Sequence, residues 1–490
     1  MGRVLTNTIS AEFSRESAPG VPTTLWRMVE PDNITRFGGE ITTTPRNPIS
    51  NSRQRRKGTT TDKTAGVTYD GDLTMEVIEN YGDLFFFANF VGPVKVDSVT
   101  GSLAATSTAF THSAIAAALP ANTLVYSRGF AIASNNGFKV VAAASTTTTT
   151  NITGGLTAET PTVAQNAQFE VCGVRGATGD LQIDANGDLI STVLDFTTLG
   201  LTVGQVIHVG GLVAANQFAT AADFGFARIV SIAANLIQLD KKATTFVLDN
   251  GAGKDIDLLF GRFLRNVSVD HADYLDQTLH WELAEPNLGN PGDEYLYVTA
   301  NSAGQWTWTL EPASKATTTL EFEGQDAVDP TASRLSGAST PIVPVRTEAL
   351  NTATDIARLR ITEVDETGVT TCFTSLTARF NNNVGRELCL GTLGSAFVNV
   401  GNFDVDIEAQ LVFTDSAVIS AINQNRTMSM DWAVRNGDGG AFVDLPSVTL
   451  GGGNQDFPRN ESVKINITTT PFEDPILHTS ASISLFPVLP

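Results

Sequence analysis

Apolar and polar residues alternate most regularly near the C-terminus. In the run 403–413, Phe403, Val405, Ile407, Ala409, Leu411 and Phe413 recur at every second position, and Asp404, Asp406, Glu408 and Gln410 fill the gaps. A strand turns successive side chains to opposite faces, so this run predicts one face on a core and one carrying carboxylates to water. Thr414 and Asp415 then offer cap chemistry for a short helix over 416–423, with Val418, Ile419 and Ile422 on one side. Strand patterns follow at 427–434, 441–445, 463–467 and 481–486.

The N-terminal part carries an echo of this order. Residues 67–75 read as a strand and 81–90 as an apolar helix, but strand patterns resume only after Arg262, at 263–282, 295–298, 305–310 and 317–322. The stretch between, 94–261, is rich in Ala, Thr, Val and Gly and contains the run Thr146–Thr150. It repeats internally. Leu119–Phe130 aligns with Leu201–Leu212, 82 positions on, whereas Gly137–Val141 aligns with Gly225–Ile229, 88 positions on. Cys172-Gly173 and Phe260-Gly261 keep the spacing of 88, which puts the six extra residues in the loop 217–224. Two copies of a small β-module, each a compact barrel, follow from this. Asn186-Gly187, between alternating residues at the seam, predicts a tight hairpin.

The expected fold class is therefore all-β with short helices. Residues 1–93 with 262–335 form a first, discontinuous β-domain; 94–180 and 181–261 are inserted modules; 336–490 form a second domain related to the first. A Pro/Ser/Thr-rich passage at 329–344 reads as the linker. The ends of the insertion should emerge together, leaving a body that assembles without it.

Composition narrows the function. With 490 residues, 42% of them hydrophobic, the chain can fill several cores. Thirty-one Lys and Arg against 52 Asp and Glu give a net charge of −21, which disfavours gripping nucleic acid through its phosphates. Cys172, Cys372 and Cys389 are too few for a disulfide framework. The first ten residues lack the apolar stretch of an export signal, and no run approaches 18 apolar residues, so membrane insertion is not expected.

Catalytic chemistry is thin. None of His112, His208, His271, His280 and His478 stands at metal-ligand spacing or beside a nucleophile motif. Asp184, Asn186 and Asp188 have calcium-loop spacing, but Leu189 stands where that turn requires Gly. Glycines at 437–440 and 451–453 lie between strands, without the lysine and helix of a phosphate loop. No catalytic, metal or cofactor residues are assigned. One basic cluster interrupts the acidic background: Arg53, Arg55, Arg56 and Lys57. It reads as a solvated loop, as an arm docking onto acidic surface of another copy, or as a DNA contact.

Thr374–Val384, Leu390–Gly394, the strand at 403–413 with its helix, and Val443–Leu450 resemble the major tail tube subunit of long-tailed, siphovirus-like bacteriophages. So do Arg53–Gly58 with Asp72–Thr74, and Leu264–Asn266 with Tyr295 and Leu320–Phe322. The resemblance covers both flanking domains, about two thirds of the chain. It implies tail-tube β-sandwich or barrel domains, each one sixth of a ring. A chain with two of them implies homotrimeric, pseudo-hexameric rings stacked head to tail into a non-contractile tube. Such a virion protein is a structural protein rather than an enzyme, assembled in the host cytoplasm. Its partners are itself and other tail proteins such as the tape measure and tail terminator, with DNA passing through the lumen unbound. The insertion resembles decorations on the outside of such tubes.

A DNA conduit should repel phosphates evenly. Asp404, Asp406 and Glu408 are the expected lumen-lining residues, with Asp70 and Asp72 from the first domain, and the basic arm is the expected inter-ring dock. Two rivals stand beside this reading: a carbohydrate-binding β-sandwich using Trp306 and Trp308 as a platform, and a hydrolase.

Overall fold

The computed structural model describes residues 6–46, 56–286, 293–335, 341–363, 368–369, 372–413 and 416–490. Alternating residues make the body's strands, as period-two patterns dictate. In chain order these are β1 (Ser10–Ala18), β2 (Val21–Val29), β3 (Asn33–Thr44), β4 (Thr59–Asp72), helix α1 (Met75–Phe86), β5 (Leu279–Glu285), β6 (Glu294–Leu310) and β7 (Thr317–Gly324). The second half contributes β8 (Ile356–Glu363), β9 (Cys372–Asn381), β10 (Asp404–Val412), helix α2 (Ala417–Asn423), β11 (Thr427–Asn436), β12 (Gly439–Asp456), β13 (Lys464–Pro471) and β14 (Ser482–Phe486). The protein is mostly β with short helices.

The two halves repeat one pairing scheme. β3 pairs with β4, β4 with β7, β7 with β6, β6 with β5 and β5 with β1. In the second half β9 pairs with β10, β10 with β13, β13 with β12, β12 with β11 and β11 with β8. The bulges correspond too. In β3 one falls between Ile34 and Arg36, and in β9 between Phe373 and Ser375. In β6 one falls between Ala303 and Gln305, and in β12 between Gly452 and Asn454. β6 also pairs with β9, from Gln305↔Asn381 to Leu310↔Leu376, which fuses the halves into one antiparallel sheet. One apolar core runs through both, and an aromatic ladder crosses the junction. Trp306 and Trp308 meet at 5.1 Å, and Trp308 reaches Trp432 of the second half at 6.3 Å. Offset and edge-on ring pairs of this kind add to simple area burial.

Several local expectations shift. The first helix begins at Met75 rather than near Tyr81, because Thr74 is its N-cap and accepts from Val77 N at 3.2 Å. It ends where Phe87 turns left-handed, φ 47°. Residues 263–282 are not one strand: only Phe263–Arg265 and β5 are extended. Residues 295–298 and 305–310 are one long strand, β6. The start of the expected linker, 329–331, belongs to the strand Asp326–Thr331 against β6. Thr414 and Asp415 lie outside the described residues.

The repeat in 94–261 has a structural counterpart. Thr123–Arg128, a 3-10 turn at Ala133–Asn135 and Gly137–Val141 match Val206–Val209, a turn at Ala214–Asn216 and Gly225–Ala233. The six extra residues include a further turn, Ala221–Asp223. The copies are not separate barrels. Gln168–Arg175 pairs with Asp257–Leu259, and one apolar cluster runs from Val96 to Phe260. Gly173 permits that pairing, since a Cβ there would collide with the Leu258 carbonyl.

The ends of the insertion do meet, through paired backbone groups of Val91 and Phe263. Yet the insertion also packs on the second half. Phe226 lies 5.2 Å from Phe442 and 5.7 Å from Phe486, ring to ring. Beside them, buried Asp444 takes Lys241 Nζ at 2.5 Å and Arg228 Nη1 at 2.9 Å, both from the insertion. These cations hold the Asp444 carboxyl below the usual range against the effect of burial. Across the β11–β12 pair, Asp431 faces Asp444 and takes Arg358 at 2.6 Å and Arg360 at 2.9 Å. There burial outweighs the guanidinium groups and pushes the carboxyl up to about 6. Removing one side of such a network leaves an uncompensated buried charge, at a cost of about 3–5 kcal/mol.

A short linker in place of residues 94–261 is therefore expected to give a chain that aggregates on expression. The same deletion carrying Phe442→Thr, Phe486→Thr and Asp444→Ser is expected to stay soluble. Sedimentation of both chains checks this, and a soluble, folded simple deletion would refute it.

Candidate functional site

Seven strands present one polar face, and the register sets its rows. One row runs Asp72, Thr317, Thr309, Thr377, Glu408 and Thr468 across β4, β7, β6, β9, β10 and β13. The next runs Asp70, Thr319, Thr307, Arg379 and Asp406, and the third Thr68, Glu321, Gln305, Asn381 and Asp404. The intervening residues, among them Tyr69, Leu320, Trp306, Phe380 and Val405, are buried. All five expected lumen residues thus stand on one continuous face, although Asp70 and Asp72 come from the first half and Asp404, Asp406 and Glu408 from the second. β3 completes the face at one side.

The face is acidic but not bare. Arg379 Nη1 meets Glu408 at 2.6 Å, Lys315 Nζ meets Asp72 at 2.5 Å and Arg36 Nη1 meets Glu323 at 2.7 Å. Arg36 reaches Glu323 across Gly66, where a Cβ would lie 2.7 Å from the guanidinium carbon. Asp70 accepts from Thr319 Oγ1 at 2.6 Å, and Asp404 from Asn383 Nδ2 at 2.6 Å. Burial and the neighbouring Glu323 push the Glu321 carboxyl up. Asp404, Asp406 and Glu408 are the exposed carboxylates of these rows.

Trp306 and Trp308 are both fully buried on its underside, so neither forms a sugar platform. Trp306 Nε1 donates to Thr318 Oγ1 inside. The histidines are scattered. His112 contacts Thr150 Oγ1 at 2.9 Å and His280 meets Glu16 at 3.2 Å. Burial pushes His208 down to about 4. Among the described residues no group of three or more His, Cys, Asp or Glu side chains is placed to hold a metal. No helix among them is long and apolar enough to cross a membrane.

The basic cluster lies in the loop joining β3 to β4. Arg56 and Lys57 are exposed there, while Arg53 and Arg55 lie outside the described residues. In the second half the equivalent loop joins β9 to β10, and it exposes Leu388, Leu390, Leu393 and Phe397. This second loop lies beside the start of β4, since Arg386 Nη2 meets Asp62 at 2.9 Å. Sequence reasoning missed this apolar partner, because a run of leucines in a loop has no period to read.

It also missed two open strand edges. Among the described residues β3 pairs only with β4, and residues 450–456 of β12 pair only with β13. The matching bulges make Gln305 of β6 equivalent to Asn454 of β12, and Ser375 of β9 equivalent to Arg36 of β3. By that equivalence Phe457 corresponds to Trp308, and Ile41 to Phe380. Trp308 and Phe380 are fully buried at the β6–β9 junction, whereas Phe457 is 73% and Ile41 58% exposed. The open edges therefore carry apolar side chains where the closed junction buries them.

A comparison with curated proteins returns no match. A family model described as phage tail tube protein does match, over residues 243–468. That span takes in β5 to β12 and most of β13, hence the fused junction and the acidic strand β10, and over it the chain is similar to phage tail tube proteins, which gives it a structural role in a tail tube.

Proposed function

We propose that three copies of this chain close into a pseudo-hexameric ring, and that rings stack into the tail tube of a long-tailed phage. The observation that carries the ring is the pair of open edges. Within one chain, β6 of the first half joins β9 of the second; the equivalent join places β12 of one copy against β3 of the next. Transposing the register sets Asn454 opposite Thr42 and Gln455 opposite Ile41, and buries Phe457 beside Gly39. An unpaired apolar edge is an aggregation hazard, and closure removes it. In this reading residues 1–93 with 262–335, and 336–490, are the two tube units, and the modules 94–180 and 181–261 lie outside the tube wall.

The polar face then lines the bore. Its carboxylates repeat around every ring and repel phosphates, while its threonines offer no cationic trap. DNA passes without specific binding, and the chain has no catalytic role. The basic loop of Arg53, Arg55, Arg56 and Lys57, with the leucine loop beside it, docks one ring on the next. Tape measure and terminator proteins meet the finished tube, which is assembled in the host cytoplasm.

Three outcomes test this reading. In a background carrying Cys372→Ser and Cys389→Ser, Thr42→Cys with Asn454→Cys should form a disulfide-linked trimer on mild oxidation. Non-reducing electrophoresis would sink the edge-pairing model if tubes formed without any cross-link.

Asp404→Lys with Asp406→Lys should leave tubes that assemble yet retain DNA, with retention falling as salt screens the added charges. Filter binding of assembled tubes measures this, and tubes that bind no DNA at low salt would count against a luminal face.

Changing Arg53, Arg55, Arg56 and Lys57 together to Ser should keep the Tm within about 1 °C, as exposed charges contribute little to folding, and should shorten the tubes. Unchanged lengths in electron micrographs would remove the docking role.

A further inference from the structure

A cavity of about 220 Å³ lies between α1, strands β1 and β2 and the first module of the insertion. Five cationic side chains line it: Arg15, Arg27, Lys95, Arg128 and Arg262. Four carboxylates do as well, and each is already engaged, two of them by the cavity's own cations. Glu79 takes Arg128 at 2.6 Å, Lys95 at 3.3 Å and Arg262 at 3.3 Å. Asp83 takes Arg15 at 2.7 Å. Glu76 accepts the backbone N–H groups of Val345 and Arg346, and Asp97 those of Val99 and Thr100. Arg27 differs from the other four cations, because its side chain has no hydrogen bond or ion pair among the described residues. Burial, followed by the nearby positive charge of Arg15, pushes its pKa down, with Asp97, Glu76 and Glu79 acting in the opposite direction. A partly buried guanidinium with no hydrogen-bond acceptor leaves its donors free for an anion, and such charge-assisted pairs are strong.

The remaining polar lining points the same way. The side-chain amides of Asn80, Asn166 and Gln168 border the cavity and have no hydrogen-bond partner among the described residues. Arg262 Nη2 is buried without a hydrogen bond, its contact to Glu79 being ionic only. Unused N–H donors from the body and from the insertion thus surround one small space.

We propose that this cavity binds a small tetrahedral oxyanion, inorganic phosphate or sulfate, held by Arg27 and the amides of Asn80, Asn166 and Gln168. Its donors come from both the first tube unit and the insertion, so the ion fastens one to the other. A planar carboxylate satisfies fewer of these converging donors, which makes a free tetrahedral ion the better occupant. The site is independent of the ring reading, because every lining residue belongs to one chain.

The test is a thermal melt of the full chain in phosphate, sulfate, acetate or chloride at equal ionic strength. Phosphate at 10 mM should raise the Tm by about 3 °C, saturably, if that concentration is well above Kd. Sulfate should act similarly, and acetate and chloride should not. Arg27→Gln should abolish the anion dependence. It should also melt no lower than wild type in chloride, since it removes a partly buried charge that has no hydrogen bond or ion pair among the described residues. Arg27→Lys should keep a weaker dependence, and Arg379→Gln on the polar face should keep all of it. An equal rise in Arg27→Gln, or none in wild type, would overturn the site; a rise with acetate as large as with phosphate would overturn the tetrahedral preference.

Discussion

Every strand has two edges of backbone donors and acceptors, and a sheet is finished only when both outer edges are paired or protected. In this protein the first half meets the second at β6 and β9, where six residue pairs join two copies of one scheme. The aromatic ladder of Trp306, Trp308 and Phe380 lies under that seam, so the join is dry as well as hydrogen-bonded. What remains open is set by the same duplication. A chain built of two equivalent units and one internal seam has one edge of each kind left over.

Much of this was legible from alternation alone. The strand β10 showed its two faces in sequence, because Val405, Ile407, Ala409 and Leu411 bury on the side opposite Asp404, Asp406 and Glu408. The duplicated order of strand, helix and strand was visible because α1 and α2 each follow a strand directly. The interrupted repeat in 94–261 was visible through its glycines and apolar pairs. Boundaries fared worse where capping or pairing decided them. Thr74 starts α1 well before the apolar run that suggested it, and β6 continues through Ala300 and Gly304, where local pattern marks a break.

Long-range pairing left no local trace. Nothing around Lys241 or Arg228 indicates that both converge on Asp444, some two hundred positions later, nor that Phe226 covers Phe442. The polar face was half legible: each acidic strand could be read, but their shared rows depend on register across six strands. Arg379 and Lys315, which temper the negative charge of that face, became apparent only through those rows.

β14 ties the insertion to the second half. β14 pairs with β12 on one edge and with Phe263–Arg265 on the other, and Val488 packs on Leu124, Cys172 and Leu259 of the insertion. Ser484 Oγ accepts the N–H of Val206 at 2.9 Å. The insertion thus has an apolar core of its own but relies on β14 and Val488 to cover this flank. Without that cover Phe226, Leu124 and Leu259 would face solvent, so residues 482–488 act as a stitch between the two parts. Loosening the stitch would bare an adhesive flank while leaving both cores in place.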